Sequence, residues 1–181
     1  MSRISVPTRD DAPAASQPIL DAVHKQLGVI PNLYRLAALS PAVLTGLTVL
    51  GAALGKTLDL KTRERIALAV AEVNRCGYCL SAHSYLATNL AKVSPDEIAL
   101  ARAGHSADAK VDAALRFAVA VAETRGHVDD GALAAVRAAG FTDAQVIEIV
   151  GLVVENFFTN FLNNVAETEI DFPVVALAKA A

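Results

Sequence analysis

Apolar residues recur along this chain every three to four positions, interrupted by Gly, Pro, Asn and Asp, and that period predicts helices throughout. The stretch up to about Ser16 reads as an extended arm. Gln17 to Gln26 forms a short helix closed by Gly28 and followed by Pro31. Ser40–Pro41 provides an N-cap and a proline at the first helical position, opening a helix of Val43, Leu44, Leu47 and Leu50 that Gly55 ends. Asp59 or Thr62 starts the next, with Ile66, Ala69, Val70 and Val73 as its apolar face, and Asn74–Arg75 breaks it. A helix then runs from about Gly77 to Leu90, and Ser94–Pro95–Asp96–Glu97 reads as a capping box that opens another. Val111, Leu115, Ala118, Val119 and Ala122 set the period of a helix over Asp108 to Thr124. Asp129 to Ala139 follows, stopped by Gly140, and Thr142–Asp143 caps a long helix reaching Glu169 before Pro173. No stretch alternates β-branched and polar residues as a strand does, and Ala and Leu dominate over Val and Ile. The expected fold is all-α: an arm over 1–16 and one helical domain over 17–181.

Composition adds three constraints. With 181 residues the chain buries a core without needing a disulfide or metal to stay folded. Hydrophobic residues make up 54% and charged residues 19%, an excess that predicts apolar surface between subunits. Net charge is −3 and the 16 Lys and Arg are scattered, so nothing points to nucleic acid. Met1 to Pro18 is polar and unlike a signal peptide, and Glu72, Glu148 and Glu155 interrupt the most apolar stretches. A cytoplasmic protein with no membrane span is the expectation.

The candidate chemistry is concentrated in the chain's two cysteines, Cys76 and Cys79. A bridge between them closes almost no loop, so a structural disulfide is a poor use, and such a pair is more often catalytic or metal-binding. With a helix beginning near Gly77, spacings of three and four put Cys76, Cys79 and His83 on one face. Free N–H groups at a helix start lower a cysteine pKa from its usual value of about 8.5, and the thiolate is the species that attacks a peroxide. The resulting sulfenic acid over-oxidises unless a second thiol condenses with it. A carboxylate turned back from the preceding helix, Glu64 or Glu72, orients His83; spacing does not say which. A zinc site of Cys76, Cys79, His83 and a carboxylate is the main competitor, although three ligands on one short helix surround an ion poorly. A c-type haem requires histidine where Leu80 stands. Tyr78 reads as a packing aromatic, and His24, His105 and His127 as surface residues. Asn156, Asn160, Asn163 and Asn164 beside Phe157, Phe158 and Phe161 read as a subunit seam or solvated edge rather than a substrate pocket.

Arg63–Glu64, Ala69–Val70–Ala71–Glu72, Cys76–Gly77–Tyr78–Cys79 and His83 resemble the core motif of the AhpD-like alkylhydroperoxidases of the carboxymuconolactone decarboxylase superfamily. Pro31–Asn32–Leu33–Tyr34–Arg35 and the tail from Glu155 to Pro173 resemble its peroxidase-related branch. The resemblance implies an all-helical fold in homotrimers or homohexamers. It implies a cofactor-free peroxidase that reduces hydrogen peroxide or small organic hydroperoxides and is recycled by a thiol or dithiol reductant. Cys79 is then the attacking sulfur, Cys76 resolves the sulfenic acid, and Glu64 and His83 form a proton relay through water. The helix start by itself favours Cys76 as the lower-pKa thiol, whereas His83, one turn from Cys79, favours Cys79. Tyr78 departs from the best-studied branch, which carries histidine there, and so limits transfer of that branch's reductant. Two other readings are a decarboxylase, against which the dithiol argues, and a non-enzymatic zinc-binding or redox-sensing module.

Overall fold

The structure, a computed structural model, describes residues 2–178. Among these residues there are nine helices and no strand. They are α1 (Gln17–Leu27), α2 (Asn32–Ala37), α3 (Pro41–Leu54), α4 (Leu60–Val73), α5 (Gly77–Asn89), α6 (Pro95–Arg102), α7 (Ala109–Thr124), α8 (Asp130–Ala138) and α9 (Asp143–Ala166).

The helix starts follow from capping side chains that accept from a backbone N–H two or three residues ahead: Ser40, Asp59, Ser94, Asp108, Asp129 and Thr142 all do so. Asp59, not Thr62, caps α4. Among the described helices only α9 has a reciprocal capping box, Thr142–Gln145. At Ser94 the box is half formed, because the Glu97 carboxylate turns instead to Arg65, Ser106 and the Ala107 N–H.

Two elements depart from the period. The short α2 was not expected after Pro31. Its first N–H groups are held from far along the chain, Asn32 N donating to Asp171 Oδ2 (2.8 Å) and Leu33 N to the Tyr78 hydroxyl (3.1 Å), and no local signal encodes such partners. Helix α9 stops at Ala166 rather than Glu169, because Glu167 turns left-handed and the Thr168 N–H closes back on the Asn163 carbonyl.

Helix α4 is the hub, packed against α5, α6, α7 and α9. Its residues Ile66, Ala67, Leu68, Ala69, Val70 and Ala71 are buried in succession, so this helix is apolar all round over that stretch rather than on the single predicted face. One flank meets α7, α8 and α9 in a core of Phe117, Val136, Ile149 and Leu152. The other meets α5, α6 and α7 around the two cysteines. The chain after α9 runs back over this second cluster, with Ile170, Phe172 and Val175 packed on it. Helix α9 alone among the described helices is long and apolar enough to cross a membrane, and it lies instead among α2, α3, α4, α5, α7 and α8.

Candidate active site

Helix α4 ends in a Schellman turn: Arg75 takes the left-handed conformation (φ 52°), Arg75 N donates to the Glu72 carbonyl, and Cys76 N donates to the Ala71 carbonyl. Cys76 thus closes α4 and, in the same position, caps α5. Its sulfur accepts from the Cys79 backbone N–H at 3.2 Å. Only Asn74, Arg75 and Cys76 separate the two helices, so α5 folds straight back on α4 and its first turn is held in the core. Cys76 and Cys79 stand as a disulfide pair, 5.3 Å apart at Cα, and both are buried.

The fold-back brings Glu64 of α4 to His83 of α5, with Oε2 2.9 Å from Nδ1. Burial by itself opposes charge on this imidazole. The Glu64 carboxylate, through its charge and hydrogen bond, and the charge of Glu155 outweigh that and raise the His83 pKa above its ordinary value. With Nδ1 on Glu64, Nε2 is the ring nitrogen left to exchange a proton. Glu72 is turned elsewhere: it accepts from Arg102 Nε at 2.7 Å and from the Ala178 N–H.

Glu155 of α9 completes the charged group. Its carboxylate lies over Gly51 of α3, where an added Cβ would come within 2.8 Å of Oε1. Burial raises its pKa, and the neighbouring carboxylate of Glu64 adds to this, against the opposing effect of His83 and Arg63.

The asparagine stripe is placed differently from the expected seam or solvated edge. Asn156, Asn160 and Asn163 are buried, and only Asn164 is exposed. Asn156 Nδ2 donates to the Leu152 carbonyl, Asn160 Oδ1 accepts from Asn74 Nδ2, and Asn163 Nδ2 donates to Cys79 Sγ at 3.4 Å. They face inward because α9 turns this side to the α4–α5 turn, while its opposite side is also apolar. Asn163 is therefore a site residue that the sequence flagged as polar but assigned to the wrong face.

Tyr78 packs edge-on against Phe172 at 5.8 Å between ring centroids, in keeping with a packing aromatic. Its hydroxyl donates to Asp171 Oδ1 (2.8 Å) and accepts from Leu33 N–H, so both roles go to the tail and α2. Burial raises the phenol pKa well above the ordinary tyrosine range, with Asp171 adding to it. Beside the dithiol a shallow cleft of about 350 Å³ is lined by Gly77, Tyr78, Asn163, Asn164, Glu167 and Ile170. Among the described residues no three of His, Cys, Asp and Glu are arranged to hold a metal ion.

The sequence pattern of the carboxymuconolactone decarboxylase family matches residues 41–124, a span that holds Glu64, Cys76, Cys79 and His83. An uncharacterized protein of Haemophilus influenzae is 49% identical over 64 residues, which make up 34% of this chain and 51% of that protein. The matched segment thus spans about half the length of this curated relative. The AhpD core of an uncharacterized peroxidase-related protein from Ralstonia eutropha superposes with a TM-score of 0.83 at 23% identity, covering 94% of this chain and 92% of that one. A peroxidase-related protein from Silicibacter follows at a TM-score of 0.81 and 23% identity, covering 93% and 91%. The debrominase Bmp8 in complex with 2,3,4-tribromopyrrole superposes with a TM-score of 0.79 at 22% identity, covering 94% of each chain. At these identities the superpositions establish a shared AhpD-like fold.

Proposed function

We propose a thiol-dependent peroxidase activity for this chain, whose residues 41–124 match the carboxymuconolactone decarboxylase family and whose fold is AhpD-like. The observation that carries the reading is the Cys76–Cys79 pair on the first turn of α5 with a Glu64–His83 pair on the adjoining helices. In the reduced enzyme His83, made more basic by Glu64, takes the Cys79 proton through water. The thiolate attacks the O–O bond of hydrogen peroxide or a small organic hydroperoxide. One oxygen stays on sulfur as sulfenic acid; the other leaves as water or alcohol, protonated from His83. Cys76 then condenses with the sulfenic acid, releasing water and forming the disulfide. A thiol or dithiol reductant returns two electrons and two protons. The cleft beside Gly77 and Tyr78 is the proposed approach for the peroxide. The cytoplasm, where reducing thiols are abundant, is the proposed location.

The test counts thiols on reduced protein before and after one equivalent of hydroperoxide. Loss of two thiols, restored by a dithiol reductant, supports the reading; retention of both while the peroxide persists overturns it.

A homotrimer or homohexamer is part of this proposal. What supports it is the outer side of α9, where Ile147, Val154, Phe161 and Val165 form one stripe at helical spacing and are 70%, 55%, 53% and 63% exposed. Phe161→Glu places a charge in the middle of that stripe. Light scattering on the eluting protein is expected to give the mass of a single chain for this variant and a multiple for the parent. An unchanged multiple places the seam elsewhere.

A further inference from the structure

We propose that Asn163 is the thiolate donor that makes Cys79, rather than Cys76, the attacking sulfur; this rests on the peroxidase reading above. Local geometry gives each sulfur one hydrogen bond. Cys76 receives the Cys79 backbone N–H at 3.2 Å, as any residue capping a helix would. Cys79 receives the side-chain amide of Asn163, brought from 84 positions along the chain.

Two features separate Asn163 from its neighbours on α9. Asn156 and Asn160 bond to a backbone carbonyl and to another amide, uses that serve the fold. The side chain of Asn163 makes its single hydrogen bond, among the described residues, to the sulfur. Its Oδ1 is buried with no partner, a cost that Asn160 also bears at Nδ2. An unsatisfied buried acceptor is costly, so an apolar residue would serve stability better at a position only 2% exposed. The amide's orientation follows from the chemistry of the sulfur. A disulfide sulfur carries no hydrogen and neither does a thiolate, so only the NH₂ group can face Cys79 in either state. Against the neutral disulfide this bond is weak. Against the reduced, ionised sulfur it becomes charge-assisted, and so it favours the thiolate at Cys79 and no other position.

The test follows thiolate absorbance as pH rises in reduced, single-cysteine protein. Cys76→Ser isolates Cys79, and Cys79→Ser isolates Cys76; each is measured with and without Asn163→Ala. The other titratable groups around the dithiol are His83 and Tyr78 on α5, Glu64 on α4, Glu155 on α9, Glu167 at its end and Asp171 of the tail, and all of them are present in every arm. The removed bond is of a size that raises the Cys79 midpoint by about one to two pH units, while Cys76 stays where it was. Asn163→Asp, close in size but without the donor and with a charge, raises the Cys79 midpoint further and provides the reading should the alanine variant fail to fold. A Cys79 midpoint that does not move, or equal movement of both cysteines, overturns the proposal. Peroxide consumption is not needed for the measurement. A protein that fails the thiol count but shows the Cys79-selective change defeats the peroxidase reading and leaves Asn163 as the donor.

Discussion

Exchange of Cys79 for serine will leave a protein that consumes hydroperoxide no faster than buffer, while exchange of Cys76 for serine will leave one that consumes a first equivalent rapidly and thereafter only the slower equivalents of over-oxidation. The serine hydroxyl at 79 does not ionise in the working range of a histidine base, so the parent's attack on the O–O bond has no nucleophile. In Cys76→Ser protein the first step survives, because Asn163 still donates to Cys79 and the Glu64–His83 pair one turn along α5 is untouched. The sulfenic acid then has no neighbouring thiol, and further peroxide drives it toward sulfinic acid. Mass spectrometry after one equivalent is expected to find the added oxygen on Cys79. The opposite pattern, with Cys79→Ser active and Cys76→Ser inert, exchanges the two roles. It would mean that the helix-start hydrogen bond to Cys76 outweighs everything that surrounds Cys79.

Glu64→Gln will lower the peroxidase rate by roughly 10²- to 10⁴-fold, the range associated with losing one member of a general-base pair. Glutamine keeps the side chain's shape and a hydrogen bond but not the charge that overcomes the burial of His83. The imidazole then loses its proton at lower pH, becomes a weaker base, and leaves more of Cys79 as thiol. The pH–rate profile moves as well as the height: the limb reporting His83 shifts to lower pH in the variant. Stability follows the same sign. In the parent the His83 pKa is raised on folding, so the stability from this pair is fully present below the ordinary imidazole value of about 6.5. It fades as pH rises through the raised value. In Glu64→Gln protein that dependence flattens. An unchanged pH profile with a reduced rate would make Glu64 a packing residue.

Much of the frame was legible because its signals are local. Ser40, Ser94, Asp108, Asp129 and Thr142 each act on an N–H within three residues, and such contacts can be read from adjacent letters. The same holds for the dithiol and His83, whose shared helix fixes their spacing. The choice between Glu64 and Glu72 was not local. Both lie on α4, and only the packing of α6 and the tail, which bring Arg102 and the Ala178 N–H to Glu72, leaves Glu64 as the partner of His83.

The face of α9 was the least legible feature. A helix side is ordinarily recognised by its apolar residues, but here Val146, Ile149 and Val153 are buried while Ile147, Val154 and Phe161 are exposed. With both sides apolar, the asparagines stood out as a polar stripe, and polar contrast suggests solvent. The sequence by itself determined an all-helical chain and a CxxC–His constellation at a helix start, because those depend on period and short-range hydrogen bonds. The tertiary structure decided which carboxylate holds the histidine and which amide reaches the sulfur. Those choices depend on which faces of α4, α5 and α9 meet, and the burial pattern of one helix does not contain that information.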